Sequence, residues 1–160
     1  MQSDQKGFTI SELSLTIGIF AILFAIGSII LLRAQPTTAL ITTVDSFVAD
    51  TKQQQIKAMS GFTGNGATDD SFSIFIAQNS YALFRGTAYN AQDTENNQIQ
   101  FDASLLASTT FPNSILSFHK GDGEIVGFQS GLDTVTFQHT TTGGQKTIKF
   151  NRYGTIISIQ

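Results

Sequence analysis

Hydrophobic positions change their spacing twice along this chain, and each spacing predicts a different element. Residues 13–32 form a run of twenty without a charge, Leu-Ser-Leu-Thr-Ile-Gly-Ile-Phe-Ala-Ile-Leu-Phe-Ala-Ile-Gly-Ser-Ile-Ile-Leu-Leu. At ~1.5 Å per helical residue the run covers roughly 30 Å, the thickness of a bilayer's hydrocarbon core, so it predicts a membrane-spanning helix. Arg33-Ala34-Gln35-Pro36 reads as the exit, where Pro36 removes a backbone donor and predicts a kink. Over residues 37–59 the apolar positions then recur at steps of three and four. Leu40, Ile41, Val44, Phe47, Val48, Thr51, Gln55, Ile56 and Met59 form one stripe, with Asp45, Asp50, Lys52 and Gln53 outside it. That is an amphipathic helix, stopped by Ser60-Gly61. A near-continuous helix from Phe8 to Met59 measures about 80 Å, far more than a small domain needs. Its first half has to find lipid and sister helices; its second half carries a sheet on its apolar face.

Beyond Gly61 the period falls to two. Residues 61–71 form a loop by composition. Phe72, Ile74 and Ile76 alternate with Ser73 and Phe75, Asn79-Ser80 turns the chain, and residues 81–84 pair back as a hairpin. Residues 85–98 are polar and read as a loop. Strands are expected at 99–102, 115–119 and 125–128, with 103–110 ambiguous and 120–124 a turn. The clearest alternation closes the chain. Val135 and Phe137 lead to the turn Thr141-Thr142-Gly143-Gly144, Ile148 and Phe150 follow, and Tyr153-Gly154 turns into residues 155–159. The whole predicts an α+β protein: a long N-terminal α-helix, half membrane-spanning and half amphipathic, packed on an antiparallel β-sheet of about six to eight strands. Its divisions are 1–7, 8–33 (span), 34–60 (amphipathic helix) and 61–160 (β-rich head).

Composition narrows the setting. Hydrophobic residues make up 41% of the chain but charged ones only 13%, with a net charge of −3, so the head is rich in Thr, Ser, Gln, Asn and Gly, as suits a surface beyond a membrane. No cysteine is present, which excludes disulfides and thiolate metal sites. Lys6 before the span and Arg33 after it leave orientation by charge a near tie.

The entry to the span carries the sharpest signal. Lys6-Gly7-Phe8-Thr9-Ile10-Ser11-Glu12-Leu13 sets a carboxylate one residue before the apolar run, and an acid at a membrane edge costs a few kcal/mol unless it finds a partner. These residues resemble the processing site of type IV prepilins and pseudopilins: a short polar leader ending in Gly, a Phe, a Glu at the fifth mature position, then about twenty apolar residues. The resemblance implies removal of residues 1–7 by a prepilin peptidase, N-methylation of Phe8, a cytoplasmic N-terminus and assembly into a filament. An uncleaved signal anchor is the plainer alternative. The absence of cysteine departs from the many pilins that close a C-terminal loop with a disulfide. The close of the chain, Phe137, Gly143-Gly144, residues 148–151 and Gly154-Thr155-Ile156-Ile157, together with the helix around Phe47 to Met59, resembles minor pseudopilins of the H type and related minor pilins. A minor subunit of a type II secretion pseudopilus or type IV pilus, localised to the inner membrane and then to an extracytoplasmic filament, is what the likeness implies.

Within that likeness a mechanism can be stated. Cleavage after Gly7 frees the α-amine of Phe8, and in a filament this cation meets the Glu12 of a neighbour, two groups that are costly alone neutralising each other. Helix capping by Glu12 is the simpler role for an acid at that place. Gly18 and Gly27 mark where the helix can bend.

Other chemistry is sparse. His119 and His139 are the only candidate bases of the usual kind, and neither sits in a catalytic or metal motif, so no enzyme activity and no small-molecule substrate are expected. Asp69-Asp70, and Asp122 with Glu124, offer oxygen ligands for calcium, but solvated turn acids are the simpler reading and no cofactor is expected. Lys146, Lys149 and Arg152 are candidate DNA contacts, the basis of an alternative in which a filament-tip subunit captures DNA for uptake. By strand parity Lys146 and Arg152 fall on the face of Ile148 and Phe150, and Lys149 on the other.

Overall fold

The computed structural model describes residues 9–61 and 71–160, with backbone alone at 29–36. One helix, α1 (Ile10–Met59), is followed by eight strands: β1 (Phe72–Ile76), β2 (Ser80–Arg85), β3 (Asn97–Gln100), β4 (Leu105–Thr109), β5 (Ile115–Phe118), β6 (Thr134–His139), β7 (Gln145–Phe150) and β8 (Ile156–Ile159). The backbone remains helical through Pro36. Two compact units divide at Thr37/Thr38.

In the first unit, residues Ile10–Ser28 are long and apolar enough to cross a membrane, and none of that stretch is buried. The second unit has an α+β architecture with two antiparallel four-stranded sheets, ordered β3-β2-β1-β5 and β4-β6-β7-β8, where a single sheet was expected. The ambiguous stretch 103–110 makes the difference: β4 leaves the first sheet and pairs with β6, Ala107 opposite Phe137.

The part of α1 from Leu40 onward serves both sheets. Leu40, Val44, Phe47, Thr51, Gln54 and Ala58 are its buried positions, at alternating steps of four and three, which keep one narrow seam facing inward. Phe47 is fully buried at the junction. Its ring meets Tyr81 of the first sheet and Phe137 of the second edge-on, both at 5.2 Å, and Phe101 packs against the same two rings. Of the nine positions predicted to form the stripe, Ile41, Ile56 and Met59 are exposed, while Gln54, outside that stripe, is buried. Gln54 is held because its Nε2 donates to the carbonyls of Ser73 (3.0 Å) and Phe84 (3.4 Å); an amide that finds backbone acceptors can occupy a core position.

Three strand expectations shift. Residues 125–128 form only a single bridge, Phe118 to Ile125, because Gly123 and Gly127 on either side take positive φ (68° and 65°) and bend the chain away from any ladder. The strand expected at 99–102 lies at Asn97–Gln100; Asp102 accepts from the Ser104 N–H and turns the chain there. Strand β7 ends at Phe150, so Arg152 belongs to a turn and strand parity does not apply to it. The outward face of the first hairpin is covered as well: Tyr89, in the polar loop after β2, stacks on Phe75 at 4.2 Å and meets Phe84 at 5.3 Å.

Candidate functional site

The start of α1 is a reciprocal cap. The Thr9 N–H and hydroxyl both donate to Glu12 Oε2 at 2.9 Å, and the Glu12 N–H donates to the Thr9 hydroxyl at 3.3 Å. This is a capping box, its Thr-x-x-Glu spacing written in Thr9-Ile10-Ser11-Glu12. Glu12 thus has a local role that fixes its side chain, and Oε1 makes no hydrogen bond among the described residues. A cation can approach that oxygen without breaking the cap. Gly7 and Phe8, the expected processing pair, lie outside the described residues.

Behind the cap, two hydroxyls are satisfied within the helix itself. The Thr16 hydroxyl donates to the Glu12 carbonyl (2.6 Å) and the Ser28 hydroxyl to the Phe24 carbonyl (2.8 Å), four residues back in each case. Such back-bonding removes the cost of placing a hydroxyl in hydrocarbon. A methyl group at Gly18 or Gly27 would meet nothing within 4 Å.

The C-terminal cations do not converge. The Arg152 Nε–H donates to Glu124 at 2.8 Å, and Lys149 Nζ lies 4.0 Å from the buried carboxylate of Asp133. Lys146, opposite Phe137, makes no ion pair among the described residues. Two of the three candidate DNA contacts therefore already face a carboxylate.

Nor do the histidines and turn acids form a reactive cluster. His139 is buried, and its Nδ1 accepts the N–H groups of Thr141 (3.2 Å) and Thr142 (3.3 Å), holding the turn between β6 and β7. Exposed His119 lies 3.3 Å from Asp122, whose carboxyl the Glu124 N–H holds below the usual carboxylate range. Among the described residues no three His, Asp or Glu side chains gather as a metal ion requires. Asp69 and Asp70 lie outside them.

Two polar links of the head escaped the sequence reading. Gln55, assigned to the apolar stripe, donates through Nε2 to the carbonyls of Gly123 (3.0 Å) and Tyr153 (2.7 Å) and so ties α1 to two turns at once. Those turns close against it: at Gly154, with φ +70°, a Cβ would lie 2.5 Å from Gln55 and 2.8 Å from Phe118. The Tyr81 hydroxyl donates to Asp50 at 2.5 Å; burial, and then the Asp50 carboxylate, push its pKa above the ordinary tyrosine range. Spacing could have disclosed the Thr9–Glu12 box. Nothing in a single sequence marks which glutamine meets two distant turns.

No family model, curated protein or solved structure matches this chain. What it does must be read from its own residues.

Proposed function

We propose that this chain is a type IV pilin-like or pseudopilin-like subunit, cut between Gly7 and Phe8, anchored by residues 10–28 and assembled through that helix into an extracytoplasmic filament. The observation that carries the reading is the uncovered helix behind the Glu12 cap. Ile10, Leu13, Leu15, Ile17, Ile19, Phe20, Ile22, Leu23, Phe24 and Ile26 are all exposed. With the exposed Ala21 and Ala25 these positions surround the helix, and an apolar surface on all sides requires lipid or other helices around it. The head, by contrast, has a complete core of its own. A separately folded head on an apolar helix that lacks protein cover is what a filament subunit needs, first in the membrane and then among sister helices.

The role is structural, with no catalysis, and a minor subunit that primes a filament is the finer form of the reading. Glu12 would exchange solvent for the α-amine of a neighbouring Phe8 through its unengaged oxygen, and the charge pair would set the axial register. The test is Glu12→Ala in cells that assemble the filament. The variant should be cleaved and reach the membrane normally, yet be missing from sheared filaments; incorporation at the wild-type level would defeat the pairing.

A further inference from the structure

Among the described residues, every sheet edge of the head but one is covered or polar. The bend after β1 closes β4, where the Ala107 N–H donates to the Gln78 carbonyl (2.7 Å), and the segment after β5 closes that strand, where the Val126 N–H donates to the Ser117 carbonyl (2.9 Å). Strand β3 is open but carries Asn97, Gln98 and Gln100. Strand β8 is open and apolar, with Ile157 (55%) and Ile159 (45%) exposed. Thr147 and Gln160 exchange both of their backbone bonds. The next position, Ile159 opposite Ile148, therefore turns its N–H and carbonyl away from β7. Beside that edge, α1 and β8 enclose a groove lined by Val48, Thr51, Lys52, Gln55, Ile156 and Ile159. Val48 and Lys52 belong there to an exposed stripe of α1 that also holds Ile41 and Ile56, next to the buried seam.

The groove asks three things of an occupant. Its walls are apolar at Val48, Ile156 and Ile159. Two of its polar side chains are already engaged, the Thr51 hydroxyl donating to the Phe47 carbonyl and Gln55 Nε2 to the Gly123 and Tyr153 carbonyls. Lys52 is the one charge in the lining, and it makes no ion pair or side-chain hydrogen bond among the described residues. The third demand is the open backbone of Ile159. We propose that the groove receives an extended peptide segment of a partner protein, added as a strand beside β8, with alternate apolar side chains between β8 and α1 and a carboxylate on Lys52. A strand meets all three demands at once, because its backbone pairs with the edge while every second side chain enters the groove. An acyl chain or an apolar helix would fill the walls and leave the Ile159 N–H and carbonyl unpaired. The site lies wholly within the second compact unit, residues 38–160, so it stands whether or not the chain is processed or anchored as proposed above.

The probe is the synthetic hexapeptide acetyl-Val-Thr-Val-Thr-Glu-Thr-amide, which places two apolar side chains and a carboxylate on one face of a strand. It is titrated into the isotope-labelled full-length chain held in nanodiscs of zwitterionic lipid, and binding and the hydrogen exchange of the Ile159 amide are followed by NMR. Binding at about 1 mM or tighter is expected, with Ile159 exchange slowed several-fold. Successive N–H groups of a strand point to opposite sides, so two N-methylated probes decide the geometry: one is methylated on the Val and Glu nitrogens, the other on the Thr nitrogens. One of the two should lose at least about tenfold in affinity and the other should bind nearly as the parent does. Equal binding by both would mean that side chains fill the groove without a strand, and overturns the proposal, as does a parent probe that leaves Ile159 exchange unchanged at about 1 mM. Charge supplies an independent check. Lys52→Glu should weaken the parent probe several-fold, and a probe with Lys in place of its Glu should recover that loss; equal affinities throughout would remove Lys52 from the site and overturn the assignment of an acidic segment.

Discussion

The two ends of α1 differ both in how many apolar residues they carry, 12 of 19 over residues 10–28 against 8 of 19 over residues 40–58, and in where those residues lie. Over Ile10–Ser28 the apolar side chains surround the helix and none is buried; between Leu40 and Ala58 a single seam carries the packing, with Phe47 wedged between rings from both sheets. Content and angular distribution act together in deciding where a helix goes. A seam needs one covering surface, whereas a fully apolar circumference needs an environment.

Substitutions can break that contrast most sharply at its centre. Phe47→Ala empties the junction of the two sheets and should destabilise the head by about 3–5 kcal/mol, read from chemical denaturation; Phe20→Ala, equally large but uncovered, should leave the same midpoint within about 0.5 kcal/mol. Comparable losses from both would erase the distinction. Next in size is Gly154→Ala, which meets Gln55 and Phe118 at a left-handed backbone position and should cost about 1–3 kcal/mol. If stability is unchanged, the closure of the two turns on Gln55 is looser than its distances indicate.

A smaller effect, about 1 kcal/mol at neutral pH, is expected from Tyr81→Phe, which removes the link to Asp50. Its signature is the pH dependence. The folded state holds the Tyr81 proton above the ordinary value of 10.0, so above that pH the unfolded chain binds fewer protons than the folded one and stability falls as pH rises. Below it the contribution is fully present. Tyr81→Phe should flatten this alkaline limb between about pH 10 and 12; an identical limb in both proteins would exclude Tyr81 as its source. Smallest of all, Ile56→Ser on the exposed stripe should shift the denaturation midpoint of the head by no more than about 0.5 kcal/mol.

Much of this was legible in the residues. The uncharged run, the helical period after it and the closing alternation of Val135, Phe137, Ile148 and Phe150 are local signals, and local signals read well. What could not be read was relational. The apolar positions of residues 40–59 look like one broad stripe, because a sequence shows which positions are apolar and not which partner covers them; in the fold they separate into a buried seam through Phe47 and an open one through Ile56. Gln54 and Gln55 exchanged roles for the same reason, since each is placed by carbonyls distant in the chain. The division into two sheets depended on β4, whose Leu-Leu-Ala-Ser-Thr has too little alternation to declare itself. At the candidate site, Glu12 was singled out by its position beside hydrocarbon, and its cap partner Thr9 was readable from spacing alone. Lys149 and Arg152 looked like a cationic patch because Asp133 and Glu124, their partners, lie far away in sequence.

The central claim is that the uncovered helix belongs to a processed, membrane-anchored subunit. Intact mass of the protein recovered from membranes, with and without an active prepilin peptidase, tests it directly. A mature chain that begins at Phe8 with one added methyl group, seen only when the peptidase is active, is the predicted result. Retention of residues 1–7 in both cases would contradict it, leaving an uncleaved anchor and a Glu12 without its proposed partner.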